Sequence, residues 1–248
     1  MINHHLYDTH CHLDLFEDFA KVVNEIEQNR IYTIAVTNLP ILYSKLKKRI
    51  NSKYIRPALG FHPELLSQYR KYIPDMWELV HEARYIGEVG LDYKIGKDYK
   101  SLQVSFFEEL ISLCSNIGGK ILTVHSRLSA DEIVSIIGPN FNGKVILHWY
   151  SGSIITMKKA IDNGYFFSVN YAMLNSDSGK RIINMIPLDR MLVESDAPFI
   201  KIQDRFFKPT DLIEITRSLS NLHNTSIENV SSILWSNFKH IISSDISL

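Results

Sequence analysis

The sequence predicts an α/β protein, a single-domain (β/α)8 TIM barrel spanning residues 1–248. Three observations predict it. Eight short runs of apolar and β-branched residues recur along the chain, with helical stretches between them. The runs are continuous rather than alternating, which is the pattern of parallel strands buried on both faces. The length, 248 residues, fits a barrel of roughly 250 residues folded as one unit.

The runs come in order. Leu6–Thr9 is brief and ends in polar residues, and Ile31–Thr37 is almost wholly strand-forming. Tyr54–Gly60 and Tyr85–Leu91 follow, then Lys120–Val124, Lys144–Leu147, Tyr165–Val169 and Arg190–Glu194. Among the helices, Leu102, Phe106, Leu110, Leu113 and Ile117 share one face. Ser129-Ala130-Asp131-Glu132 has capping-box spacing ahead of Ile133, Ile136 and Ile137, and Thr225-Ser226-Ile227-Glu228 repeats it before the closing helix. An open doubly wound sheet would carry a glycine-rich phosphate loop after its first strand. Here that strand runs instead into Asp8-Thr9-His10-Cys11-His12.

Composition narrows the function classes. Basic and acidic residues balance at 27 each, which excludes a polycation that coats nucleic acid through bulk charge. Two cysteines, Cys11 and Cys114, cannot make a disulfide scaffold and fit a reducing compartment. No apolar run reaches membrane-spanning length, and the first residues lack the charged and apolar regions of a signal peptide. A cytoplasmic monomer or small oligomer is expected.

The chemistry collects at strand ends. His10, His12, His62, His125 and His148 fall at or just past the C-terminal ends of predicted strands, as do Glu88, Asp92 and Asp196. In a barrel these ends share the face on which active sites are built. Side chains two apart in an extended segment point the same way, so His10 and His12 can bind one metal ion, with Asp8 able to orient a ring behind them. A lone His-x-His would favour two polar residues leaving a strand; the further strand-end ligands favour metal. Cys11 alternates away and reads as a small core residue.

Glu88, inside an apolar run, costs several kcal/mol unless paired or metal-bound, and a carboxylate there can bridge two ions. Asp92 either holds a histidine or caps the following loop. His125 and His148, each closing an apolar strand beside Glu88, suggest a second site of nitrogen and carboxylate ligands. Asp196 can bind metal and accept a proton from water. Glu194, two residues earlier, either supports the site or pairs with a neighbouring Arg or Lys.

These motifs carry a family resemblance. Asp-Thr-His-Cys-His-Leu-Asp at 8–14, Gly-Phe-His-Pro-Glu at 60–64 and Gly-Glu-Val-Gly-Leu-Asp-Tyr at 87–93 resemble the TatD-type metal-dependent DNases of the amidohydrolase superfamily. His-Ser-Arg at 125–127, His-Trp-Tyr-Ser-Gly at 148–152 and Glu-Ser-Asp-Ala-Pro-Phe at 194–199 extend the match in the family's order, and Asn237 fits its closing helix. The resemblance implies a metallo-dependent hydrolase barrel, two divalent ions (Mg, Mn or Zn) and hydrolysis of DNA by metal-activated hydroxide, as a 3′–5′ exonuclease on single-stranded or frayed ends. It implies that His10, His12, Glu88 and Asp196 hold one ion, that Glu88, His125 and His148 hold the other, and that His62 contacts the scissile phosphate. Asp196, Glu88 and His62 are the catalytic candidates. The chain departs from the family at Trp149-Tyr150, where Cys-Phe is usual, and at Phe206-Phe207-Lys208-Pro209, where Arg-Asn-Glu-Pro is usual. The loop after Tyr93 is also short. These changes spare the ligands and alter the rim.

Substrate contacts are expected from Arg127, Tyr93, Trp149 and Arg205, beside His62. Lys94, Lys97, Lys100, Lys201 and Lys208 join them in a ring of cations, and Phe61, Tyr150, Tyr171, Phe199, Phe206 and Phe207 in an interleaved set of aromatics. Such interleaving suits unpaired nucleic acid, although a solvated charge pattern over a partly buried rim is the bland alternative. Lys45–Arg49 reads as the solvated face of an outer helix, and His4, His5, His81, His223 and His240 as surface or packing residues. Two other functions stand open. One is a hydrolase of the same superfamily acting on an amide, ester or lactone; a carboxylated lysine is common there, and Glu88 in its place favours the nuclease branch. The other is a nuclease-like subunit working with a protein partner.

Overall fold

The computed structural model describes residues 6–94 and 99–243. All eight expected strands are present: β1 Tyr7–Cys11, β2 Tyr32–Val36, β3 Ile55–Ala58, β4 Tyr85–Asp92, β5 Lys120–Arg127, β6 Gly143–His148, β7 Phe166–Val169 and β8 Met191–Val193. A short antiparallel hairpin, β9 Lys201–Ile202 with β10 Arg205–Phe206, was not expected, because strands of two residues carry no periodicity. The helices are α1 Phe19–Asn29, α2 Pro40–Arg49, α3 Ile73–Leu79, α4 Lys100–Ile117, α5 Ala130–Ile137, α6 Ile154–Asp162, α7 Tyr171–Leu174, α8 Asp177–Ile183, α9 Leu212–Leu222 and α10 Ile227–Ile242. No helix among the described residues is long and apolar enough to cross a membrane.

The chain divides into two compact units, Met1–Ala35 with Ser52–Arg56 and Phe167–Leu248, and Val36–Asn51 with Pro57–Phe166. In the first, β1 pairs in parallel with β2, Tyr7 opposite Tyr32 and Cys11 opposite Ala35. β8 pairs in parallel with β7, Ser168 opposite Leu192. The backbone past β8 is tied to β1: Asp196 N donates to His10 O, and His12 N to Ala197 O, both at 2.9 Å. The Tyr7 ring stacks on Phe238 of α10 at 4.1 Å. Asn237, on the same helix, donates from Nδ2 to Leu188 O at 2.7 Å and Met191 O at 2.8 Å. Cys11 is fully buried, a core residue as expected.

In the second unit, β4, β5 and β6 form parallel pairs, with Gly90 opposite His125 and Leu122 opposite Val145. Every residue of β4 is buried, which explains why its sequence shows no alternation. The turn after β2 and the turn that carries His62 both reach β4: Thr37 N donates to Gly87 O at 3.1 Å, and Phe61 N to Glu88 O at 2.9 Å. Lys45, Lys47, Lys48 and Arg49 are exposed on α2, while Leu46 packs inward.

Three local expectations are corrected. The buried face of α4 is Gln103, Phe106, Phe107, Leu110, Ile111 and Cys114, not the face through Leu102, Leu113 and Ile117. Gln103 Oε1 accepts from Asp92 N at 2.9 Å, so a polar residue turns inward and the helix rotates with it. Ser129 precedes α5 without capping it, because its hydroxyl donates to Leu91 O at 2.7 Å. Glu132 is drawn instead to Tyr93 Oη at 2.5 Å and Lys100 Nζ at 3.1 Å. The cap of α10 is Ser226, whose hydroxyl accepts from Asn229 N at 3.1 Å, one residue later than Thr225.

Candidate metal centre

Each unit carries a donor cluster at its strand ends. In the first, alternation along β1 puts His10 and His12 on one side, with Nε2 atoms 3.2 Å apart. Asp196 adopts a left-handed φ of 45°, a conformation that aspartate tolerates better than most residues. Its Oδ1 lies 3.7 Å from His10 Nε2 and 3.6 Å from His12 Nε2. Ligands about 2.0–2.1 Å from a tetrahedral zinc stand about 3.3 Å from one another, so these three atoms fit the edges of a divalent-ion polyhedron. All three residues are buried.

Asp8 does not orient a ring. Its Oδ1 accepts from the backbone amides of His10 at 3.1 Å and Ser195 at 3.0 Å, and so ties the two ligand-bearing strand ends together. Burial pushes its pKa up to about 7, against the pull of those hydrogen bonds. Glu194 is fully buried and accepts from Ser168 Oγ and, at 3.0 Å, from Asn170 Nδ2. Sequence reading missed this cradle, since neither partner lies near Glu194 in the chain.

In the second unit, Glu88 Oε1 is the hub. It lies 2.6 Å from His125 Nδ1, 3.0 Å from His148 Nε2 and 3.4 Å from His62 Nε2. His62, Glu88 and His125 each offer a ligand atom within 4.8 Å of the others. Imidazole and carboxylate are donors suited to zinc, manganese or magnesium. His62 Nδ1 accepts from Glu64 N at 3.2 Å, which leaves the proton of the neutral ring on Nε2.

Asp92 fulfils both readings of its position. Oδ1 accepts from Lys94 N at 2.8 Å, capping the loop, and Oδ2 lies 2.8 Å from His125 Nε2. Burial works against the Asp92 carboxylate, but His125, the Lys94 amide and Arg127 outweigh it and hold its pKa below the ordinary value. Burial likewise opposes the charged form of His125, and Asp92 and Glu88 outweigh that and raise its pKa above 6.5.

The expected substrate contacts divide. Arg127 is about half exposed, 3.9 Å from Asp92 Oδ2. Trp149 is 38% exposed, at φ 41°. Tyr93 donates to Glu132 under the Lys100 ammonium, which sits 4.3 Å from the ring centroid. Arg205 is exposed but forked onto Asp211 at 2.6 and 2.7 Å. Lys208 turns to Glu25 at 3.2 Å and Asp18 at 3.4 Å, so it is a structural tie rather than a rim cation. Phe61, Tyr150 and Phe207 are buried and leave the aromatic set, whereas Phe199 and Phe206 are exposed. Lys97, His4 and His5 lie outside the described residues.

Parallel α/β units with imidazole–carboxylate clusters at their strand ends define the metal-dependent hydrolase class. The chain belongs to the TatD related DNase family, whose sequence profile matches residues 7–243. It is 25% identical over 251 residues to the uncharacterized metal-dependent hydrolase YabD of Bacillus subtilis, covering 95% of this chain and 98% of that protein. It is 26% identical to the human deoxyribonuclease TATDN3 over 215 residues, 78% of each chain. The crystal structure of YJJV, a TatD homolog from Escherichia coli K12, superposes with a TM-score of 0.84 at 21% identity, over 97% of this chain and 98% of that one. The fold is therefore the parallel α/β fold that the eight strand signals predict.

Proposed function

We propose that this protein hydrolyses phosphodiester bonds of DNA, as a 3′–5′ exonuclease on single strands or frayed ends. The observation that carries the reading is the buried convergence of His10 Nε2, His12 Nε2 and Asp196 Oδ1 within 3.7 Å of one another, in a chain of this family. His10, His12 and Asp196 would hold one divalent ion, and Glu88, His125 and His148 a second. Bound there, the ions supply a Lewis acid for phosphate oxygens and make water acidic enough to ionise near neutral pH.

The chain's own groups do the rest. Asp196 takes the proton from the attacking water. The water oxygen forms the new bond to phosphorus as the bond to the departing sugar oxygen breaks, and that oxygen takes up a proton from solvent while Asp196 returns its own to solvent. His62, with its proton on Nε2, donates to the phosphate. Arg127 adds positive charge to phosphate oxygens, and Tyr93, Trp149 and Arg205 are the proposed substrate contacts.

The test is hydrolysis of end-labelled single- and double-stranded DNA with Mg, Mn, Zn or EDTA, beside a His125→Ala, Asp196→Asn double variant. Metal-dependent cleavage that the variant loses is expected, with a ladder shortening from the 3′ end. Metal-loaded protein that cuts no DNA would overturn the reading in favour of a small-molecule ester or amide substrate.

A further inference from the structure

Phe199 lies three residues past Asp196, and its ring meets that of His12 edge to face, centroids 4.9 Å apart and planes at 80°. It is nonetheless 58% exposed, and Phe206 on the adjoining hairpin is 52% exposed. Leu15, on the turn after His12, is exposed as well. Single exposed apolar side chains are ordinary. Here they gather on the two loops that leave His12 and Asp196, with the Lys201 ammonium 5.5 Å from the Phe206 ring centroid. A phenylalanine gains more by full burial than by half-covering a histidine, so core packing does not account for the placement.

We infer that Phe199 is the stacking platform for the nucleobase beside the bond that is cut, and that it makes the protein select unpaired bases. The inference rests on the phosphodiesterase reading above. A phosphate bound at His10, His12 and Asp196 stands next to the ring that touches His12, so its own nucleoside is the one within reach of Phe199. Inside a duplex both faces of a base are already stacked. A terminal or single-stranded base has a face to offer, and an aromatic ring accepts any base because every base has one. Selection then comes from the availability of that face rather than from hydrogen bonds to base edges.

The test compares wild type, Phe199→Ala and Phe199→Trp on a single-stranded oligonucleotide, and on the same strand with an abasic nucleotide beside the cleaved bond. Phe199→Ala is expected to raise KM for the natural strand about tenfold or more with kcat little changed, and Phe199→Trp to restore it. The abasic strand is expected to show a much smaller difference between the variants. A second readout needs no turnover: with Mg or Mn present and a non-hydrolysable phosphonate at the cleavable bond, 2-aminopurine at that nucleotide is quenched on binding wild type and far less on binding Phe199→Ala. A natural strand cut with wild-type KM by Phe199→Ala, or equal quenching by both proteins, would overturn the platform. Wild type that binds and quenches but cuts no strand would overturn the phosphodiesterase reading alone.

Discussion

Asp92 Oδ2 stands 2.8 Å from His125 Nε2 and thereby turns the other ring nitrogen, Nδ1, onto Glu88 Oε1 at 2.6 Å. A histidine that donates one N–H to a carboxylate presents its second nitrogen in a fixed tautomer and direction, and that is how ligating histidines are held. Asp92 is itself fixed by the Lys94 amide and has its own backbone N–H tied to Gln103. The orientation of His125 is therefore built into the end of β4.

Replacing this carboxylate should weaken metal binding without unfolding the protein. In a His12→Ala background, which silences the other cluster, Asp92→Asn is expected to lower zinc or manganese affinity about 10–100-fold. Calorimetric titration measures it. Unchanged affinity would show that Glu88 and His148 alone orient the ring.

At the proposed second ion site, metal would compete with a proton for His125. Its folded pKa is raised above 6.5 because Asp92 and Glu88 outweigh the burial that opposes its charge. In metal-free protein the stability that comes from the protonated ring is fully present below 6.5 and is lost as pH rises through the raised value. A bound ion requires the neutral ring, so affinity at Glu88, His125 and His148 should climb through that same window, above the range of an ordinary histidine. Asp92→Asn should shift the climb to lower pH. Titration in two buffers of different ionisation enthalpy reads the proton released on binding.

Much of this was legible in the chain. The runs that lead into His10, His125 and His148, and the one that encloses Glu88, announce a buried strand carrying a polar group, because a polar group in or closing an apolar run needs a partner. What stayed hidden depends on packing between distant segments. Phe61 and Phe199 are the same residue type in the same kind of loop, yet Phe61 is buried against Phe106, at 5.4 Å, and Phe199 faces solvent. The inward turn of Gln103 follows from one backbone amide on β4, which no helical periodicity can encode.

Divalent metal should stabilise the fold by mass action. At free metal 100 times its Kd, one site adds about 2.7 kcal/mol to unfolding. Urea unfolding with manganese and with EDTA is expected to differ by about that much for each occupied cluster. Asp196→Asn should remove most of the contribution from the His10–His12 side while the rest persists. No difference between manganese and EDTA would show that the native chain binds the ion no better than the unfolded one.

At the opposite end of β5, Lys120 is buried and donates from Nζ to Val80 O and Ala83 O at 2.6 Å, with His81 O at 3.4 Å. Burial lowers its pKa, and the three carbonyls accept from its Nζ. Lys120→Met fills the same volume but leaves buried carbonyls without donors, and is expected to cost about 1–3 kcal/mol of stability. Metal affinity at Glu88, His125 and His148 should be unchanged, because the substitution sits at the far end of the strand. Urea unfolding and metal titration separate the two effects.

Gly60 marks the closest approach of backbones near Glu88. A β-carbon built there would stand 1.6 Å from Thr37 O, 2.5 Å from Glu88 N and 2.6 Å from Gly87 O. All three are backbone atoms, and Thr37 O and Gly87 O already pair with Glu88 N and Thr37 N. No side chain can swing aside to relieve the contact, so Gly60→Ala must separate the end of β2 from β4 or push the turn that carries His62 outward. Overpacking a tight core costs about 1–3 kcal/mol even where side chains can adjust, and here the displaced backbone holds Glu88 itself. Gly60→Ala is therefore expected to lower the melting temperature and to weaken metal binding at Glu88, His125 and His148 together, unlike Lys120→Met, which affects stability alone. A Gly60→Ala protein with wild-type melting and metal affinity would show that the turn carrying His62 has room for a methyl group.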